Sequence, residues 1–161
     1  MGDDAMSKIY VDEIAGIASP STVAIPGHVI QVVQFSYATE NSISTSTLTA
    51  TPYTATLTPA SASSKILITW SSPLRVNDAG QTDGRARLHI YKNGSDLVMM
   101  NRFFLADMDG GHNQFAYSYL DSPATTSPVT YTIYGAAENA VNIIFNDTAA
   151  TGTLILQEIA G

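Results

Sequence analysis

The chain has 161 residues, enough for one domain that buries about 70% of its unfolded surface and too few for two ordinary domains with a linker. It is 45% hydrophobic and 13% charged, with a net charge of −7, and its seven Lys and Arg are scattered along the sequence. A phosphate backbone needs clustered cations, so nucleic acid is excluded as an expected partner. Without cysteine there is neither a disulfide framework nor a thiolate metal site.

The opening Met1-Gly2-Asp3-Asp4-Ala5-Met6 is acidic and has no apolar signal core, and no stretch approaches the ~18 apolar residues that cross a bilayer. The expectation is a chain made without a signal peptide and without membrane insertion. Ser7 to Ala18 scores weakly as helix or strand, and Pro20 and Pro26 stop any helix from lengthening. Residues 1–26 therefore read as an extended arm, and residues 27–161 as the folded domain. His28 to Tyr37 alternates Val29, Val33, Phe35 and Tyr37 against His28, Gln34 and Ser36, while Ile30 and Val32 blur the polar side; that pattern predicts cover on both faces. Thr47 to Thr58 is broken at Pro52 and predicts an edge strand around Tyr53 to Leu57. Lys65 to Trp70 reads as a buried strand.

Arg85 to Lys92 gives the clearest period of two: Ala86, Leu88 and Ile90 on one face, Arg85, Arg87, His89 and Tyr91 on the other, at a surface or an interface. Asn93-Gly94 follows at once. A type I′ turn needs positive φ at both central positions, so this dipeptide predicts a hairpin into Asp96 to Phe104. Further strands are expected over Asn113 to Leu120, Val129 to Ala136, Val141 to Asn146 and Thr153 to Ile159, separated by Gly, Ser-Pro and Glu-Asn turns. Asn93-Gly94-Ser95 and Asn146-Asp147-Thr148 match the glycosylation pattern and are read as turn residues. About nine strands without a convincing helix predict an all-β antiparallel sandwich or jelly roll.

Reactive groups are few. His28, His89 and His112 lie far apart, and no nucleophile elbow, zinc-binding helix pair or phosphate loop accompanies them, so no enzyme and no cofactor are expected. Asp107-Met108-Asp109-Gly110-Gly111-His112 sets Asp107 and Asp109 one residue apart beside flexible glycines. Their carboxylates are the candidates for a calcium ion, which takes six to eight oxygen ligands, but the spacing of a helix–loop–helix calcium loop is missing and a solvated turn is the alternative. Phe115, Tyr117 and Tyr119 share one face of a strand, and Tyr131 and Ile133 another, which suits a core near its rim, a subunit interface or, with exposed rings, carbohydrate recognition.

Three segments carry a family likeness: the loop and strand start Thr58-Pro59-Ala60-Ser61-Ala62-Ser63-Ser64-Lys65-Ile66-Leu67-Ile68, the run from Leu120-Asp121-Ser122-Pro123 to Thr130-Tyr131-Thr132-Ile133, and the closing Gln157-Glu158-Ile159-Ala160-Gly161. Together they resemble the β-structured domain of tailed-phage fibre and virion-surface proteins, over roughly Gly27 to Gly161. Val11-Asp12-Glu13-Ile14 is similar to the opening that precedes the globular part in those proteins. The resemblance implies a homotrimeric virion structural protein, displayed on the particle surface after synthesis in the host cytoplasm, with residues 7–26 attaching to other virion proteins or intertwining. It implies a fibre or fibre tip that adheres to a host glycan or protein, with contact residues on loops, the candidates being Asn77, Asp83, Asp107, Asp109, His112 and Asp121. The sequence shows no coiled-coil or β-helical shaft before the domain, so the expectation is a compact tip, a short fibre or a capsid decoration protein anchored by the arm rather than a free-standing fibre. A lectin-like module remains as a third reading.

Overall fold

The computed structural model describes residues 25–77, 84–104, 112–139, 142–147 and 150–161. All but the last two residues of the expected arm lie outside these. The described residues form ten strands: β1 (Val29–Tyr37), β2 (Asn41–Ile43), β3 (Thr49–Leu57), β4 (Lys65–Asn77), β5 (Arg85–Lys92), β6 (Ser95–Phe104), β7 (His112–Asp121), β8 (Val129–Glu138), β9 (Asn142–Phe145) and β10 (Gly152–Ile159). All pairings are antiparallel. Sheet A runs β1-β10-β4-β7, with β9 and β2 added beside the far half of β4; sheet B runs β3-β8-β5-β6. With the short β2 and β9 set aside, the eight long strands taken in chain order pair 1-8-3-6 and 2-7-4-5. That is the strand order of a jelly roll, so the expected all-β sandwich is the observed architecture.

Alternation decides which residues face inward. Along β4, Ile66, Ile68, Trp70, Leu74 and Val76 are buried, as are Leu154 and Leu156 on β10, Leu88 and Ile90 on β5, and Tyr131 and Ile133 on β8. Each such side chain taken out of water contributes roughly 1.5–3 kcal/mol. Rings fill the centre: Tyr53 meets Trp70 edge-on at 5.7 Å, and Trp70 meets Phe145 at 6.2 Å and Phe115 at 5.5 Å. Gly135 lets sheet B approach β9 closely, because a Cβ there would lie 2.8 Å from Cδ1 of Ile143 and 3.0 Å from Cζ of Phe145.

Four sequence expectations change. Strand β2 was not anticipated, since three residues show no period; it forms because Asn41 to Ile43 pair with Phe145 to Ile143 and Ile43 enters the core. Strand β4 continues through Pro73 to Asn77 rather than stopping near Trp70. On one side its partner is β10 as far as Ser71 and β9 from Leu74 onward, so Pro73 sits in the gap where its missing N–H leaves no ladder bond unmade. Strand β3 is an edge strand, as expected, but starts at Thr49, and the register shift between Ala50 and Thr54 absorbs Pro52. The cover predicted on both faces of β1 is found on one only: Val33, Phe35 and Tyr37 pack on the core, while Val29, Ile30 and Val32 are exposed. The hairpin at Asn93-Gly94 has φ of 49° and 78°, the type I′ signature.

Two buried polar centres tie the sandwich together. Asn146, fully buried at φ 57°, accepts from the Tyr53 hydroxyl at 2.5 Å and the Ser72 hydroxyl at 3.1 Å. Its amide donates to the carbonyls of Tyr37 and Thr39, and its backbone N–H donates to Pro73. Glu158, also fully buried, sits where the first and last motifs of the family likeness meet: β10 pairs Glu158 with Ile66, Ala60 donates its N–H to the carboxylate at 2.7 Å, and Gln31 donates its side-chain N–H to the other oxygen at 2.5 Å. The Ser63 hydroxyl closes the same corner by donating to the carbonyl of Gly161.

Candidate binding surface

Strand β5 turns Arg85, Arg87, His89 and Tyr91 to the outer face of sheet B, as its alternation predicts, and β8 sets Tyr134 opposite His89 and Thr132 opposite Tyr91. Tyr91 and Tyr134 are therefore diagonal neighbours, and their rings stack 3.8 Å apart at 16°. His89 tilts against Tyr91 with ring centroids 6.5 Å apart, and its Nδ1 lies 2.9 Å and 3.0 Å from the two oxygens of Asp96. Its buried Nε2 has no partner. Arg87 reaches Glu138 at 3.4 Å and donates to the carbonyl of Ser46. Between β3 and β8 the hydroxyls of Thr54 and Thr132, and of Thr56 and Thr130, bond at 2.9 Å and 2.8 Å.

Burial, the nearby Asp96 carboxylate and Tyr134 together push the Tyr91 hydroxyl above the usual phenol range, against the opposing pull of Arg87. It stays protonated at neutral pH and can donate. The face thus combines a stacked pair of rings, two rows of hydroxyls, the Arg87–Glu138 ion pair and the His89–Asp96 hydrogen bond on strands held by their neighbours. Such a surface offers apolar contact at the uncovered sides of the ring pair and hydrogen bonds to vicinal hydroxyls.

The residues singled out in the sequence are placed differently from one another. Asn77 ends β4 opposite Asn142, away from this face. Asp83, Asp107 and Asp109 lie outside the described residues. His112 opens β7 opposite Arg75. Asp121 is buried, at 6% exposed, and its carboxylate takes the Lys92 ammonium at 3.0 Å and 3.2 Å and the Tyr131 hydroxyl at 2.7 Å. Of the readings open for the tyrosine rows, the core is the one observed: Tyr131 is fully buried, and Phe115, Tyr117 and Tyr119 are half-buried against the core. The rings on the outer face are Tyr91 and Tyr134, and the parity that puts Tyr134 opposite to Tyr131 and Ile133 was the available signal. Among the described residues no three His, Asp or Glu side chains converge to hold a metal ion.

No protein-family model matches the sequence, and no curated protein matches it. Among solved structures, those similar to this chain include viral capsid proteins and a sugar-binding domain. The infectious bursal disease virus VP2 subviral particle is similar at a TM-score of 0.46 and 9% identity, over 81% of this chain and 37% of that one. Infectious bursal virus T=1 particles give a TM-score of 0.48 and 11% identity, over 93% of this chain and 41% of that one. The EclA C-terminal domain, a sugar-binding protein, gives 0.38 and 14%, over 88% of this chain and 89% of that one. The chain thus spans about two fifths of the viral proteins it is similar to.

Proposed function

We propose that the chain is a non-enzymatic structural protein of a phage particle surface, a fibre-tip domain that assembles as a homotrimer and adheres to the host. The observation that carries this reading is the corner built around Glu158. The loop from Thr58 to Ser64 and the closing Gln157 to Gly161, two of the segments that resemble phage virion domains, are bound to each other through one buried carboxylate and the Ser63–Gly161 contact. They behave as one structural unit, which is what a shared domain requires of shared motifs. Three rigid copies on one axis raise avidity by orders of magnitude without a tight individual contact.

The outer face of sheet B favours a saccharide as the adhesion ligand, because its stacked tyrosines and hydroxyl rows suit a sugar ring. In the alternative, capsid decoration, the arm of residues 7–26 holds the domain on the shell. Antibody against the purified chain is expected to label the tail tips of intact particles from the lysate that encodes it, and free chain is expected to slow their adsorption to cells. Label spread evenly over the shell supports decoration, and particles that carry no label overturn both. Glycan-array binding by the wild type, lost in Tyr91→Ala, supports the saccharide; equal signals from the two remove that face from the reading.

A further inference from the structure

The outer face of sheet A is unlike that of sheet B. On β1, Val29, Ile30 and Val32 are 50%, 42% and 55% exposed, and on β7 Leu120 is 47% exposed. Register joins them: Val32 pairs with Gln157, Gln157 with Leu67 and Leu67 with Leu120, a straight row across four strands, with Val29 and Ile159 beside it. The exposed apolar residues thus stand at the two edges of the row, with the uncharged Gln157 and the half-buried Leu67 between them, and exposed apolar side chains gathered on one face mark an interaction surface. Charge separates the two faces as clearly. The chain carries a net −7, yet β1 has no charged residue, β7 has no Asp, Glu, Lys or Arg before Asp121, and the outward positions of β4 and β10 between them carry only Lys65 and Arg75, near the two ends of β4.

The sheet edges repeat the contrast. Edge strands are normally guarded by proline, charge or bulges. In sheet B, β3 has Pro52 and a register shift, and β6 has Asp96 and two shifts. In sheet A, β7 pairs with β4 without a shift, and the one irregularity of β1 lies at its start, between Val29 and Gln31. Two bodies of charge −7 repel unless they meet through uncharged surface, and the row from Val32 to Leu120 carries no charge, with Lys65 and Arg75 near the ends of β4, where the other face carries Arg85, Arg87, Asp96 and Glu138 along its strands.

We propose that the outer face of sheet A, from Val32 across Leu67 to Leu120, is where a second copy of this chain packs. The assignment rests on the self-association in the proposed function and names its surface, which leaves the outer face of sheet B free for ligand. The mass of the full chain in solution at micromolar concentration tests it, with Val32→Glu/Leu120→Glu against Met99→Glu, a substitution at a comparably exposed apolar site on sheet B. The wild type and Met99→Glu are expected to keep the assembled mass, and the double variant to fall to the mass of one chain. An unchanged mass in the double variant overturns the surface and leaves self-association standing; a monomeric wild type sinks both.

Should the double variant fail to fold, Gln34→Cys supplies the sole thiol in a cysteine-free chain, on the same face. A short bis-maleimide is expected to join two copies through it, and monomer alone after treatment overturns the proposal. A third outcome also overturns it: backbone exchange at β1 that is slow in a monomeric full chain and fast after removal of residues 1–24 makes the leading segment the occupant.

Discussion

The Glu158 carboxylate and the backbone N–H of Ala60 are 98 residues apart in the chain and 2.7 Å apart in the fold. Burial alone would push the Glu158 acid up, but the Ser64 and Gln31 side chains and the backbone N–H groups of Ala60 and Ser61 together outweigh it and hold the group below the usual Glu range. A carboxyl depressed in the folded state contributes stability that is fully present above its unfolded value, near 4.3, and is lost as pH falls through the folded value. Glu158→Gln is therefore expected to cost roughly 1–3 kcal/mol at pH 7. The gap between its urea midpoint and that of the wild type should close below about pH 4.

Removing the Asn146 side chain withdraws partners from Tyr53, Ser72 and the Tyr37 and Thr39 carbonyls at once, and leaves a non-glycine residue at positive φ. Asn146→Ala is expected to destabilise by roughly 3 kcal/mol or more, and Tyr53→Phe, which keeps the ring contacts, by about 1–2 kcal/mol. Chemical denaturation of the two variants and their double checks the coupling: because they share one hydrogen bond, the double should fall short of their sum.

Lys92 is half-open to water, whereas Asp121 is buried and depends on it. Lys92→Met is expected to cost about 1–3 kcal/mol by leaving that carboxylate with only the Tyr131 hydroxyl. Asp121→Asn added to Lys92→Met should recover part of the loss, since the uncompensated charge is then gone. Thermal melts of the single and double variants decide it.

The space above Gly135 is filled by Ile143 and Phe145. Gly135→Val forces sheet B away from β9 and is expected to cost about 1–3 kcal/mol, read as a fall in the denaturation midpoint with a folded circular-dichroism spectrum retained.

Where local pattern and turn chemistry agree, the fold was legible residue by residue. Arg85 to Lys92 matches β5 at both ends because strict alternation runs into Asn93-Gly94, and both signals are local. The extension of β4 through Pro73 was not legible, because the proline is tolerated only where two partner strands leave a gap, and that gap exists only in the assembled sheet. The candidate surface was half legible. Alternation turns Arg87, His89 and Tyr91 outward, but Tyr134 stacks on Tyr91 through the register of two strands some forty residues apart, which no single segment encodes. The burial of Asp121 was hidden for the same reason: beside Ser-Pro it looks like a loop carboxylate, and the lysine that pairs with it comes from the end of β5.

The position of Asn146 sets a condition on how the protein is made. Asn146-Asp147-Thr148 matches the acceptor pattern for oligosaccharide transfer, which acts on chains before they fold, and the folded protein has no room for a glycan on a side chain that it encloses completely. In a eukaryotic secretory pathway, a glycan attached at Asn146 would be incompatible with the packed core. Synthesis in a compartment without that transferase avoids the conflict, as would Thr148→Val in a secreted form.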